Sequence, residues 1–107
     1  MNARIPSGHP AIVIPELLTV VSRIVNRQAV KMFYIGRGVD PYRRLKFHGS
    51  DIGYVLYQTR SIQNEVIVES TLIDYFYSHP KCANTAIHGR GRVSSAPIGY
   101  VYLAVWN

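Results

Sequence analysis

Five residues that could together act on a phosphodiester stand in order along the chain: Tyr34, Arg44, His48, Glu69 and Asn84. A carboxylate can hold a divalent metal ion, an arginine can stabilise charge on a phosphate, and a tyrosine or histidine can orient or deprotonate a water molecule. Hydrolysis of a phosphodiester needs all three functions. The acidic residues are too few and too scattered to hold a pair of ions, so a single-metal scheme is the natural expectation.

The charge of the chain fits a polyanionic partner. Twelve lysines and arginines oppose six acidic residues, which gives a net charge of +6. Seven of these twelve basic residues lie between Arg23 and Lys46, where only Asp40 opposes them. This concentration favours a directed nucleic-acid surface over general solubility. We expect DNA contacts from basic residues in this stretch and in a later glycine-rich loop, namely Arg37, Arg43, Lys46, Arg90 and Arg92.

The length and the cysteine content suggest an intracellular single-domain protein. A chain of 107 residues predicts one domain, with residues 1–16 as an irregular N-terminal arm. The single cysteine, Cys82, excludes an internal disulfide and fits a reducing, cytoplasmic compartment. Pro10, Pro15 and Glu16 interrupt the apolar stretch near the N-terminus, so we expect neither a signal peptide nor a membrane span.

The region before Tyr34 has two interpretations. Residues 18–25 and 31–36 are rich in β-branched side chains, which predicts an antiparallel hairpin. A helix over residues 15–28 is the rival, because the apolar residues also fit a helical stripe and Pro15 suits a first helical turn. The β-branching makes the hairpin the preferred prediction.

The rest of the chain predicts an α+β domain, a small and mostly antiparallel sheet flanked by helices in the order β-β-α-β-α-β. Asp40 and Pro41 suit the start of a short helix that stops before Gly49, and Ser61 can cap a longer one. The predicted elements are a helix at 41–48, a strand at 52–58, a helix from 61 to about 77, a loop at 81–97 and a strand at 98–106.

Glu69 is out of place in the longer helix. Ile62, Val66, Ile73 and Phe76 form the predicted apolar stripe, and Glu69 lies between them on the same stripe. A carboxylate on a buried face is costly unless it is paired or bound to a metal ion. Glu69 is therefore a rim residue, a partner of a nearby arginine or a metal ligand.

Several stretches resemble the GIY-YIG nuclease superfamily. "FYIGRGVDPYRRLKFH" is similar to its YIG half-motif and the following helix with arginine and histidine, and "SRIVNRQAVKMFYIG" to the segment that joins the two half-motifs. "NEVIVESTLIDYF" resembles the helix with the metal-binding glutamate, and "HPKCANTAIHGRG" the loop with the family's asparagine. The resemblance covers about residues 20–92, and the order and spacing make it more specific than the tripeptide alone.

The resemblance implies a role for each of the five residues. Tyr34 would lie near the attacking water, Arg44 would stabilise the phosphate, and His48 would assist by hydrogen bonding or proton transfer. Glu69 would ligate one Mg²⁺ or Mn²⁺ ion, and Asn84 would help to fix the loop. The implied activity is metal-dependent endonuclease cleavage of DNA, with specificity from DNA structure, from homodimerisation or from a partner.

The first half-motif of the family is missing. Its place falls at residues 20–22, where Ser22 stands for the expected tyrosine. Either the protein is a catalytically impaired nucleic-acid-binding module, or the last strand lies beside the YIG strand and supplies Tyr100 or Tyr102. A third reading uses the aromatic strand at 98–106 as an edge that docks another protein.

Overall fold

The computed structural model describes residues 5–85 and 97–107 and confirms an α+β fold with a three-stranded antiparallel sheet flanked by helices. Within these ranges no helix is both long enough and apolar enough to cross a membrane. The elements in chain order are α1 (Pro10–Val25), β1 (Met32–Gly38), α2 (Pro41–His48), β2 (Ile52–Thr59), α3 (Ile62–Phe76) and β3 (Gly99–Trp106).

The last strand lies in the centre of the sheet. The strand order is β1-β3-β2, and β3 pairs antiparallel with both neighbours. In this register Tyr34 lies opposite Ala104, and Gly36 lies opposite Tyr102. Because both edges of β3 are occupied, the reading of this strand as a docking edge is wrong.

The first predicted strand is wrong, because residues 18–25 belong to α1. The rival helical interpretation is correct in type, but the helix begins earlier, so the predicted arm is wrong from Pro10 onwards. His9 caps the helix by accepting a hydrogen bond from the backbone N–H of Ala11 at 3.1 Å, and Pro10 occupies the first turn. The gain from burying one helical stripe outweighs the β-branching, and the observed order is α-β-α-β-α-β. The buried apolar residues of that stripe are Val13, Leu17, Val21, Ile24 and Val25.

Side chains of β1 alternate between two different environments. Phe33 and Ile35 are fully buried in the main core, where Phe33 packs edge-to-face against Phe76 of α3. Tyr34 points the other way and contacts His48 of α2. Since successive residues of a strand face opposite sides, α3 covers one face of the sheet and α2 the other.

The inner face of α3 differs in part from the predicted stripe. Ser61 caps the helix as expected, accepting a hydrogen bond from the backbone N–H of Asn64 at 3.1 Å. Ile62 is 41% exposed, however, while Val68 and Leu72 are fully buried. The buried stripe is thus shifted around the helix, and it includes two glutamates.

The outer edge of β1 is covered by the segment that follows α3. Phe33 donates its backbone N–H to the carbonyl of Lys81 at 2.9 Å, and Ala83 donates to the carbonyl of Phe33 at 2.8 Å. This short parallel bridge extends the sheet by one residue at Cys82. The remainder of the predicted loop, including Arg90 and Arg92, lies outside the described residues.

Candidate functional site

Two tyrosines and a histidine meet on the α2 face of the sheet. The ring centroids of Tyr34 and His48 are 4.7 Å apart, and those of His48 and Tyr102 are 5.8 Å apart. His48 Nε2 lies 2.9 Å from the hydroxyl of Tyr102, within hydrogen-bonding distance. His48 ends α2, and Gly49 stops the helix in a left-handed conformation that brings the imidazole over the sheet.

Gly36 of the Tyr-Ile-Gly sequence makes room for this cluster. A Cβ atom at this position would overlap the ring and hydroxyl of Tyr102 and would lie 2.9 Å from Cε2 of Tyr34. Real Cβ atoms do not approach that closely, so only glycine lets Tyr102 extend across β1. The glycine therefore has a packing reason in addition to any role in a sequence motif.

Arg44 supplies the positive charge of the cluster. It lies on the exposed side of α2, and its guanidinium is close enough to Tyr102 to lower the pKa of that phenol. Burial lowers the pKa of His48, and the charge of Arg44 lowers it further. Burial raises the pKa of Tyr102, which Arg44 partly opposes. At neutral pH the imidazole is therefore uncharged and the phenol is protonated, which leaves Arg44 as the cation of this group.

Arg37 lies in an ion-pair cluster and not on the exposed surface where a DNA contact was expected. Its Nη1 lies 3.0 Å from Oε2 of Glu65, and its Nε lies 3.2 Å from Oε1 of Glu69. The side chain of Arg37 is only 11% exposed, and both glutamates are almost fully buried. Its guanidinium is enclosed between two carboxylates, so Arg37 offers little surface for the DNA contact that the sequence suggested. We call Arg37, Glu65 and Glu69 the carboxylate cluster.

Glu69 lies on the α3 side of the sheet, yet it acts on the tyrosines. Burial raises the pKa of Tyr34, the negative charge of Glu69 raises it further, and Arg44 opposes both effects. The negative charge of Glu69 also raises the pKa of Tyr102. The structure thus brings Tyr34, Arg44 and His48 together on one face and puts Glu69 within electrostatic reach from the other.

Asn84 acts on the backbone of β1 rather than on the cluster itself. Its Oδ1 accepts a hydrogen bond from the N–H of Ile35 at 2.9 Å, and its Nδ2 donates to the carbonyl of the same residue at 2.8 Å. The amide thereby takes the place of a neighbouring strand at the edge next to Tyr34. Asn84 is 8% exposed, so both hydrogen bonds are shielded from water.

The carboxylate cluster matches a magnesium ion in charge and donor type. Two carboxylates share one guanidinium, so the cluster keeps a net negative charge when both are ionised. Mg²⁺ is commonly bound by one or two carboxylates, with water and phosphate oxygens completing its shell. Among residues 5–85 and 97–107 no group of three or more histidine, cysteine or acidic side chains forms a potential metal cage. Of the two carboxylates, Glu69 is the one whose charge raises the pKa of Tyr34 and Tyr102. It is therefore a better candidate metal ligand than Glu65.

The basic residues expected to contact DNA and the residue expected at the first half-motif lie in different parts of the fold. Arg43 and Lys46 are exposed on α2, as a DNA-contacting surface requires. Ser22 lies instead on α1, in a groove of about 650 Å³ that Arg23 and Tyr75 also line. Ser22 thus lies on a helix, and the strand that neighbours Tyr34 is β3.

Of the two tyrosines considered in the last strand, Tyr102 is the one that reaches the cluster. Its signal in the sequence was the glycine- and tyrosine-rich strand that contains it. Glu65 was not recognised, because the predicted helical stripe was shifted.

Comparisons of this chain with protein-family models, curated proteins and solved structures find no match. The interpretation of the site therefore depends on its own geometry and chemistry. Two observations matter most for that interpretation. An exposed arginine lies against a neutral tyrosine–histidine cluster, and a buried carboxylate lies within reach of the same tyrosines.

Proposed function

We propose that this protein is a metal-dependent endonuclease that hydrolyses DNA phosphodiester bonds at the Tyr34–Arg44–His48 cluster. The observation that carries the proposal is the convergence of an exposed guanidinium, two phenols and an uncharged imidazole on one face of a basic protein. Phosphoryl chemistry requires charge stabilisation and a positioned water molecule, and these groups can supply both. The resemblance to the GIY-YIG superfamily independently suggests the same activity.

Arg44 would bind the scissile phosphate. As a permanent cation with several N–H donors, it can neutralise charge that develops on the phosphate oxygens. Tyr34 is half-buried beside it, and its raised pKa keeps the phenol protonated at neutral pH. Tyr34 would therefore orient the attacking water by hydrogen bonding rather than deprotonate it.

His48 is the group of this cluster that can take up a proton at neutral pH. Its lowered pKa keeps the ring uncharged at neutral pH, so one ring nitrogen has a lone pair that can accept a proton. With its hydrogen on Nε2, the imidazole donates to the hydroxyl of Tyr102 at 2.9 Å and leaves the lone pair of Nδ1 free to take up a proton. Tyr102 would then be a positioning residue that fixes the orientation of the His48 ring.

Glu69 would hold a Mg²⁺ or Mn²⁺ ion, which when bound supplies Lewis-acid polarisation of the phosphate. Arg37 would fix the orientation of the Glu69 carboxylate, because its guanidinium connects Glu69 to Glu65. Asn84 would hold the backbone at Ile35 and so the direction of the Tyr34 side chain.

The tyrosine that the superfamily carries in its first half-motif has a substitute in this proposal. The missing residue would be replaced by Tyr102, which comes from the last strand instead of from a strand before Tyr34. Support comes from the pairing of Gly36 with Tyr102 across β1 and β3 and from the hydrogen-bonding distance to His48. The loss of the first half-motif therefore does not by itself imply loss of activity.

Nicking of supercoiled plasmid DNA tests the proposal. Purified wild-type protein should nick the plasmid in the presence of Mg²⁺ or Mn²⁺ but not of EDTA, and Glu69→Gln should lower the rate by at least about a hundredfold. Glu16→Gln, a matched change at an exposed position of α1, should retain the wild-type rate. Equal nicking by wild type and Glu69→Gln would overturn the endonuclease proposal.

A second candidate function is a nucleic-acid-binding module without catalysis. One observation favours it: a guanidinium, and thus a cation, already lies 3.2 Å from the carboxylate that would hold the metal. This candidate predicts salt-dependent DNA binding that is lost in Arg44→Ala, together with no nicking under any metal condition.

We further propose that the protein works in an intracellular, reducing compartment. We also propose that it forms a homodimer, which would contribute to its specificity for DNA. Sedimentation with and without DNA would test the dimer, and a monomer in both states would remove it from the proposal.

A further inference from the structure

The outward side of α2 carries an aromatic group where a solvated helix would carry a polar one. Phe47 is 80% exposed, although it lies between Lys46 and His48 on a helix with two exposed arginines. Its ring contacts His48 edge-to-face at a centroid distance of 6.0 Å. Phe47 therefore touches the candidate site while presenting most of its surface to solvent.

A cavity of about 400 Å³ lies in front of this ring. Its apolar walls come from Phe47 and from Val39, which is itself 44% exposed. Arg43 and Arg44 supply its cationic walls, and Asp40, which caps α2 by accepting from the N–H of Arg43, also lines it. An aromatic wall beside two guanidinium groups matches a flat, polar ring attached to an anion.

Arg44 connects this cavity to the candidate active site. Its side chain lines the cavity together with Phe47, and the ring of Phe47 contacts His48 of the tyrosine–histidine cluster. A phosphate held by Arg44 would therefore place its attached nucleoside at the mouth of the cavity. A base that remains paired inside a duplex cannot turn its flat face toward Phe47, whereas an unpaired base can.

We propose that this cavity binds an unpaired nucleobase, stacked on Phe47 and flanked by Arg43, next to the phosphate at Arg44. The inference rests on the proposed function for the identity of the phosphate, and it specifies the substrate class: DNA with a single-stranded, bulged or extruded nucleotide at the cleavage position. The basic residues that surround the aromatic ring favour a nucleic acid over an apolar peptide as the occupant.

The test measures binding in EDTA, so that it does not depend on catalysis. Fluorescence anisotropy compares a fully paired duplex, the same duplex with a one-nucleotide bulge, and the single strand. Wild-type protein should bind the bulged and single-stranded DNA about tenfold more tightly than the paired duplex, because one base–aromatic stack is gained. With 2-aminopurine as the bulged base, binding should quench its fluorescence.

Substitutions at Phe47 separate stacking from charge. Phe47→Ala and Phe47→Leu should remove the preference for unpaired bases without changing the affinity for paired duplex, and Phe47→Trp should retain the preference. Tyr75→Ala removes a similarly exposed aromatic from α3, 62% exposed, and should have no effect. Thermal unfolding of each variant checks that the fold is intact.

Several results would overturn the inference. These are equal affinity of wild type for paired and bulged DNA, an equal loss of both affinities in Phe47→Ala, or full retention of the preference in Phe47→Leu. Preferential binding of bulged DNA without any nicking would refute the endonuclease proposal but leave this base site in place. Nicking without a preference for unpaired bases would do the reverse.

Discussion

The two faces of the sheet at β1 differ in whether their charged groups are buried or exposed. On the α3 face, Arg37 is enclosed with Glu65 and Glu69, and these three charges are almost entirely removed from water. On the α2 face, the buried polar groups are uncharged at neutral pH, and the cation Arg44 is exposed. One face therefore neutralises its cation internally, while the other keeps its cation available for an external anion.

The difference indicates which face meets the ligand. A buried ion-pair cluster is rigid, and an external phosphate would have to displace a carboxylate to reach its guanidinium. The α2 face offers Arg44 and the exposed Arg43 and Lys46 without such competition. Changes at Arg37 and Glu65 should consequently affect stability first, and changes on the α2 face should affect binding and chemistry first. Glu69, the proposed metal ligand, should affect both.

Removing the guanidinium from the carboxylate cluster should have the largest effect. Arg37→Ala leaves Glu65 and Glu69 buried without their shared cation, so we expect a loss of about 3–5 kcal/mol in the free energy of unfolding. Urea denaturation followed by circular dichroism measures it. Arg37→Met combined with Glu65→Gln and Glu69→Gln should recover most of the loss, because the charges then disappear together. A loss below about 1 kcal/mol for Arg37→Ala, as at an exposed ion pair, would contradict the comparison.

The next largest loss of stability is expected from a substitution at the edge of β1, because this strand contributes side chains to both faces of the sheet. Asn84→Ala removes two buried hydrogen bonds to Ile35 and should destabilise the protein by about 2–3 kcal/mol. Hydrogen exchange should be faster at the amide of Ile35 than in wild type, while amides in the centre of β3 change less. Unchanged protection at Ile35 would show that Asn84 does not hold this edge.

Structure that depends on neighbouring residues could be predicted from the sequence better than structure that depends on long-range packing. The cap at Asp40, the short α2 and the positions of β2 and α3 follow from turn and capping residues that act within a few positions. The type of α1 did not, because β-branched residues favour a strand, and the helix wins only through burial of its apolar stripe against a distant partner. That partner, α3, lies about forty residues further along the chain.

The candidate site was predictable to a similar extent. Tyr34, Arg44 and His48 were found because a turn and one helix bring them together over a short stretch. The pairing of Arg37 with α3 depends on which face of β1 the side chain takes, and the sequence does not reveal this. The central position of β3, and with it Tyr102, depends on a long-range pairing that local patterns do not specify.

A smaller effect is expected from filling the space above Gly36. Gly36→Ala forces a methyl group against the ring and hydroxyl of Tyr102, so we expect about 1–3 kcal/mol of destabilisation. Tyr102→Phe in the same chain removes the hydroxyl, the nearest atom, and should relieve part of the loss. The coupling between the two substitutions, measured by a double-mutant cycle of urea denaturation, should be favourable. Strict additivity would mean that Gly36 and Tyr102 do not compete for this space.

The smallest predicted effect is a pH dependence that belongs to the α2 face. Burial and Arg44 lower the pKa of His48 in the folded protein, so between this pKa and the unfolded value of about 6.5 the unfolded chain binds more protons. The contribution of His48 to stability is therefore fully present above that unfolded value and is lost as the pH falls through the folded pKa. The difference in unfolding midpoint between pH 7.5 and pH 5.5 should shrink in His48→Gln, whereas the neighbouring Phe47→Leu should keep the wild-type difference. If His48→Gln leaves the difference unchanged, the imidazole is not held in its neutral form by this face, and its assignment as the proton acceptor loses its basis.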